Sequence, residues 1–212
     1  DARGQKVQCS AQPAVEIGEA ERRQPSRGEP DGERHAVQPA HHRGDGGLEL
    51  ETVVDDSAID ANVLIAAAQS PHRLVYKTPA LTTAVHMSGV PWVSLGLSFD
   101  QPAAVVSAAL VDYRADGTVR LVTRGWADPQ NHDSLWRTSR IRPGREYQIN
   151  FELQPHDYQF QAGSRIGVAV MSTDRLFTLR PPAGTTLTLD TRGSKVFLPI
   201  VGGAATLADA TR

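Results

Sequence analysis

Most of the features that betray a protein's chemistry are missing from this sequence. Its 212 residues include a single cysteine, Cys9, so no internal disulfide can form and the redox compartment is left open. No apolar stretch approaches the roughly 18 to 20 residues that a membrane-spanning helix requires. A net charge of -2 leaves no electrostatic footprint for nucleic acid or an anionic membrane surface, so neither is an expected partner. The opening "DARGQKVQCS" has neither an initiator Met nor a basic start followed by an apolar run. The expectation is a fragment or processed chain whose parent is secreted or cytoplasmic, with the localisation unassigned.

What is present falls into two unequal parts. Residues 1–50 contain no aromatic side chain and are dense in Arg, Glu, Gly and Pro, a composition that buries too little apolar surface to offset the entropy of ordering. This low-complexity segment is expected to be largely disordered, with a short helix near Val15 to Arg23. Two origins fit it: an ordinary linker, or a GC-rich coding region read in a non-native frame.

From residue 51 to 203 the pattern is that of an all-β domain, with 204–212 as a C-terminal tail. In "WVSLGLSF", Val93, Leu95, Leu97 and Phe99 alternate with Trp92, Ser94, Gly96 and Ser98, and such alternation puts one set of side chains on each face of a strand. Further strands are expected around Leu74 to Tyr76 and Thr83 to Met87, and in "AAVVSAALVDY", "TVRLVTRGW", "LFTL", "TTLTL" and "KVFLPIV", with Asp116-Gly117 as a hairpin turn. In "YQINFELQPHDYQFQAGSRIGVAV", Tyr147, Ile149, Phe151 and Leu153 form one oily face and Ile166, Val168 and Val170 another, read as two antiparallel strands closed by the "QAGSRI" hairpin. Only "DDSAIDANVLIAAAQ" suits a helix, capped by Asp56 or Ser57 with Ile59, Val63 and Leu64 on one face. Nine or ten short strands between Gly and Pro turns predict a jelly-roll-like β-sandwich with one short helical segment near its start.

The chemistry search yields little. There is no G-x-S-x-G, the motif that presents the nucleophile of an α/β-hydrolase. Asp128, His132 and Asp133 suit an acid-base or metal site by residue type, against the plainer reading of a long connection pinned by Trp126 and Trp136. His41-His42 with Asp45 offers an adventitious metal patch, and Asp55, Asp56 and Asp60 too few oxygens for a calcium cage. His86 and Trp92 flank a turn, where aromatics suit a sugar or an interface equally. No cofactor is expected.

Several stretches nevertheless carry a resemblance. "LVYKTPALTTAVHMSG", "AALVDY", "RGWADPQN" and "RIRPGREYQINFELQPHDYQFQAGSRIGVAV", in that order, resemble the C-terminal domain of X-prolyl dipeptidyl-peptidases and related cocaine-esterase-like α/β-hydrolases, particularly actinobacterial members. The resemblance implies a non-catalytic jelly roll that packs on an α/β-hydrolase domain carrying a Ser-Asp-His triad; no catalytic residue transfers to this chain. The expected partner is that catalytic domain, with a homo-oligomer as a further possibility. An exposed apolar patch larger than a few hundred Å2 is expected at the interface, and residues 55–76, ending at Tyr76, are the expected part of it. The alternative is a stand-alone lectin-like, carbohydrate-binding sandwich using Trp92, Trp126 or Trp136, which requires an exposed Trp in a groove. Candidate interface or ligand contacts are thus Tyr76, His86, Trp92, Trp126, His132 and Trp136.

Overall fold

The computed structural model describes residues 14–16, 50–179, 181 and 183–212. Among them are eleven strands and two α-helices: β1 (Ala14–Glu16), β2 (Leu50–Val54), α1 (Ala61–Ala66), β3 (Arg73–Lys77), β4 (Val85–Gly89), β5 (Trp92–Phe99), β6 (Val106–Tyr113), β7 (Val119–Ala127), β8 (Glu146–Glu152), β9 (His156–Phe160), β10 (Arg165–Met171), β11 (Thr186–Phe197) and α2 (Gly203–Ala210). The first sheet runs β11-β5-β8, with β2 and β1 along the two halves of β11; the second runs β3-β10-β6-β7, and β4 pairs with β9. Two antiparallel sheets face to face make the β-sandwich anticipated from the alternating sequence.

The core lies between the sheets. Val93, Leu95, Leu97 and Phe99 of β5 and Leu187 and Leu189 of β11 meet Leu74, Ala108, Leu110, Val168 and Val170 from the second sheet. The run "VSAALVDY" does not alternate because β6 is buried on both faces. On its outer side, Val75, Ala109, Val111, Ala169 and Met171 are covered by Ala61, Leu64 and Ile65 of α1. The apolar side chains of residues 55–76 are therefore largely used inside the domain, Tyr76 included at 7% exposure.

The helix cap differs from expectation. Asp60 accepts from the Asn62 amide at 2.8 Å and is the N-cap, because the Asp56 carboxylate is already engaged by the Ala58 amide in the preceding turn. Leu64 of the expected face is buried and Val63 is exposed. Of the helix expected near Val15 to Arg23, Val15 and Glu16 lie instead in a strand paired with β11; the remainder falls outside the described residues, as do Cys9 and the His41-His42-Asp45 group.

Four strand expectations also change. The strands at 147–154 and 165–170 do not form a hairpin: β8 pairs with β5, β10 lies between β3 and β6, and β9 intervenes to pair with β4. Gly167 and Ala169, which alternate with the oily face of β10 and so belong on its outer side, are buried too because α1 and the Tyr113 ring cover that side. "LFTL" is a turn, with the Phe177 and Thr178 amides both donating to the Asp174 carbonyl at 3.0 Å. "TTLTL" and "KVF" belong to one strand, β11, interrupted by an irregularity between Asp190 and Lys195 where the Arg192 amide donates to the Asp190 carboxylate. Residues read as a tail form α2, whose Leu207 and Ala210 join the core and whose last carbonyls hold the Thr82 amide at 2.7 Å.

Candidate functional site

Two long connections define the chemically richest part of the surface. Ala127 ends β7 opposite Val106, and Met171 ends β10 opposite Ser107, so residues 128–145 and 172–185 leave the second sheet from the same end. Both enter the first sheet at one end as well, where Glu146 faces Ser98 and Leu187 faces Phe99 across the two sides of β5.

The second connection is built on buried carboxylates. Asp55 is 3% exposed and accepts from the Thr173 amide at 3.2 Å and from the Thr173 hydroxyl. Next to it, Asp174 is 1% exposed and accepts from the Arg124 guanidinium at 2.9 Å and the Trp126 indole N–H at 3.1 Å. Phe177 stacks on Trp126 with ring centroids 5.2 Å apart, and the Arg124 guanidinium lies 4.8 Å from the Phe177 ring centre. A buried ion pair thus fixes an aromatic pair at the surface, and Leu176, Phe177 and Leu179 project from it into solvent. Asp174 and Phe177 escaped the sequence reading because "LFTL" passes for a strand; the closely following Pro181-Pro182 was the available sign that it is not one.

The first connection carries His132 and Trp136. Asp128 caps a short 3-10 turn, Pro129–Asn131, by accepting from the Gln130 amide at 2.9 Å. The His132 Nδ1 lies 2.9 Å from the Pro129 carbonyl oxygen and is therefore its donor; Nε2 is 3.1 Å from the Asp133 carboxylate, and the ring meets Tyr147 edge-on at 4.6 Å. The Tyr147 hydroxyl accepts from the Arg142 amide at 2.9 Å. Beside this group is an open cavity of about 420 Å3, lined by Arg140, Arg142 and Arg145 together with Asp133 and Glu146, and by His132 and Tyr147. Trp136 does not pin the connection as expected but stands 93% exposed, beside Leu135 at 82%; Pro129 and Ile141 are the buried residues of the connection.

The other candidates lie elsewhere and do not converge. Tyr76 donates its hydroxyl to Glu51, and burial, reinforced by that carboxylate, raises its pKa. Trp92, at the opposite end of β5 from Phe99, lies flat on Phe197 at 3.7 Å. His86 on β4 is 3.1 Å from Asp157 on β9, whose carboxyl is held below the usual range by hydrogen bonds from Ser88 first and His86 second. Among the described residues, no three His, Cys, Asp or Glu side chains come together as a metal site, and Asp55, Asp56 and Asp60 serve a loop, a turn and a cap.

Comparison with known proteins assigns the scaffold. Residues 19–211 match the family described as the X-Pro dipeptidyl-peptidase C-terminal non-catalytic domain. The chain belongs to this family. A Rhodopirellula baltica protein assigned as an Xaa-Pro dipeptidyl-peptidase is 42% identical over 163 residues, covering 74% of this chain and 26% of its own length. A Bacillus anthracis protein with the same assignment is 41% identical over 150 residues, covering 70% and 25%. The chain thus spans about a quarter of the curated relatives it matches. In fold, an α-amino acid ester hydrolase superposes with a TM-score of 0.63 at 19% identity, over 74% of this chain and 33% of that one. Membership in the X-Pro dipeptidyl-peptidase C-terminal family matches residues 19–211 to a non-catalytic domain, and the greater length of the relatives implies a linked catalytic domain in them.

Proposed function

We propose that the sandwich together with α2, residues 50–210, forms an accessory domain of an X-Pro dipeptidyl-peptidase-like serine hydrolase, whose catalytic α/β-hydrolase domain releases X-Pro dipeptides from peptide N-termini. The sandwich supplies no reacting group; it packs on the catalytic domain and helps to shape the approach to it. The observation that carries this reading is the match to a non-catalytic family, joined to relatives that are about four times longer than the part this chain matches. The sequence, without G-x-S-x-G, supports the same division of labour. Of the candidate contacts, Trp126, His132 and Trp136 lie on or beside the two long connections, and this reading gives them the interdomain role.

The test is hydrolysis of an Ala-Pro chromogenic amide and an aryl ester by the purified chain, with a serine-directed phosphonate and intact mass in parallel. The expected result is no turnover and no adduct. Turnover with one labelled serine would place a complete catalytic site in these residues and end the accessory reading.

A further inference from the structure

We infer that the surface formed by the described residues of connections 128–145 and 172–185 is the face that docks on the catalytic domain, through exposed apolar side chains and the arginines of the first connection. This inference rests on the accessory reading above and locates its interface.

Eight large apolar side chains are exposed among the described residues, and five of them, Leu135, Trp136, Leu176, Phe177 and Leu179, sit on these two connections. Exposures of 93% for Trp136 and 91% for Leu179 mean that these side chains do nothing for the isolated fold, whereas a partner covering them gains their full burial. The surface is also preorganised: the buried Arg124–Asp174 pair and the Trp126–Phe177 stack hold its centre, which lowers the ordering cost of association. Exposed aromatic and Arg side chains are the types enriched in protein–protein contacts.

The charge pattern defines the partner's complement. On the first connection Arg137, Arg140, Arg142 and Arg145 are all exposed and outnumber its exposed acids, Asp128 and Asp133, with Glu146 exposed where β8 begins. The surface that meets this one therefore has an apolar socket bordered by carboxylates. The relatives provide an occupant of sufficient size, since about three quarters of their length lies outside the part that this chain matches. The expected alternative, residues 55–76, directs Ala61, Leu64 and Ile65 into its own sheet and leaves Val63 as its exposed large apolar residue.

The experiment uses the Rhodopirellula baltica relative carrying this whole chain in place of its matching quarter, with a protease site at the junction. After cleavage at low salt the two halves are expected to co-elute in size exclusion, with affinity falling at least about tenfold in 0.5 M salt as the arginines of the first connection are screened. Trp136→Asp and Leu179→Asp are each expected to weaken association on the order of thirtyfold, while Val63→Asp leaves it unchanged; circular dichroism of each variant chain checks its fold. Co-elution that resists both patch substitutions overturns the docking face and leaves the accessory reading standing. If the unmodified halves separate at once while the chain stays folded, the accessory reading itself falls. Sedimentation of the 212-residue chain alone supplies the remaining outcome: a dimer that Trp136→Asp dissociates makes a second copy the occupant and overturns the proposal.

Discussion

Gly125 of β7 lies directly against the backbone of Glu152 and Leu153 at the end of β8, so that a side-chain carbon added at Gly125 would meet the Glu152 carbonyl oxygen and come within 2.9 Å of the Leu153 Cα. This is where the edges of the two sheets join. Adjacent bonds fix the approach: the Gln154 amide donates to the Arg124 carbonyl at 2.9 Å, and the Thr123 hydroxyl donates to the Gln154 carbonyl at 2.7 Å. Because the obstructing atoms are backbone and cannot swing aside, Gly125→Ala is expected to cost about 1 to 3 kcal/mol, the range for overpacking. An unchanged urea midpoint would mean that the sheet edges separate freely.

Asp174 is the second structural commitment at this end of the sandwich. Replacing it with Ala leaves the Arg124 guanidinium, whose side chain is 15% exposed, without its carboxylate, and strips the Trp126 indole of its acceptor. Breaking a buried pair in this way costs about 3 to 5 kcal/mol; the residual exposure of Arg124 puts the expectation near the lower bound. Denaturation followed by tryptophan fluorescence reads both effects, and a loss below about 1 kcal/mol would show that the pair contributes little.

The sandwich was legible because strand patterning is local. The alternation in "WVSLGLSF" fixes β5 residue for residue, and Asp116-Gly117 is the turn it promises, with Gly117 at φ 84 and its amide donating to the Arg114 carbonyl. Pairing is not local. Nothing in the alternation of residues 147–153 says that their partner is β5 rather than the next strand along, and the polar "HDYQF" conceals β9 because only Tyr158 and Phe160 turn inward. The docking face was hidden for the same reason: Leu176, Phe177 and Leu179 look like core until Asp174 is seen to close a turn beneath them. His132, by contrast, invited a chemical reading by residue type alone, and its neighbours give it a donor role to Pro129 and a single carboxylate.

Aromatic truncations should sort by burial and not by size. Phe160 is fully buried, and Phe160→Ala is expected to cost about 3 to 5 kcal/mol. Phe151, which the alternation alone places in the core, is only partly buried against it, so its truncation should fall below that range. Trp136→Ala is expected within about 0.5 kcal/mol of the parent, as for other surface changes. Denaturant midpoints of the three variants test the order, and a Trp136 value as large as that of Phe160 would contradict the exposed position.

Alkaline pH should weaken the fold through two tyrosines. Burial pushes Tyr113 up to about 12, opposed in part by the nearby Arg73, and Tyr76 is raised as well by burial and Glu51. In the unfolded chain both ionise near pH 10. Below pH 10 both states hold these protons and stability does not depend on them; above it the unfolded state loses protons that the native state keeps, so stability declines as pH rises toward 12. Urea midpoints between pH 8 and about 11.5 should fall more steeply for the parent chain than for a Tyr76→Phe, Tyr113→Phe double variant. Equal slopes would assign the decline to other groups.

Arg73 clamps the end of α1. The residue is 2% exposed; its Nε and Nη2 groups donate to the Leu64 and Ala67 carbonyls, two of the acceptors that a helix C-terminus leaves unpaired. Burial lowers its pKa, so the charge is held at some cost, and among the described residues no carboxylate pairs with it. Arg73→Met removes that cost but strands both carbonyls, a penalty of about 1 to 3 kcal/mol for each buried group left unsatisfied, so a net loss of stability is expected. Arg73→Lys keeps the charge without the planar fork and cannot serve both acceptors in the same way. The specific sign is local: the Ala67 amide, bonded to the Val63 carbonyl at 3.0 Å, should exchange faster in both variants than in the parent, relative to β6 amides beneath. Unchanged protection at Ala67 would show that α1 is held on the sheet by Ala61, Leu64 and Ile65 alone.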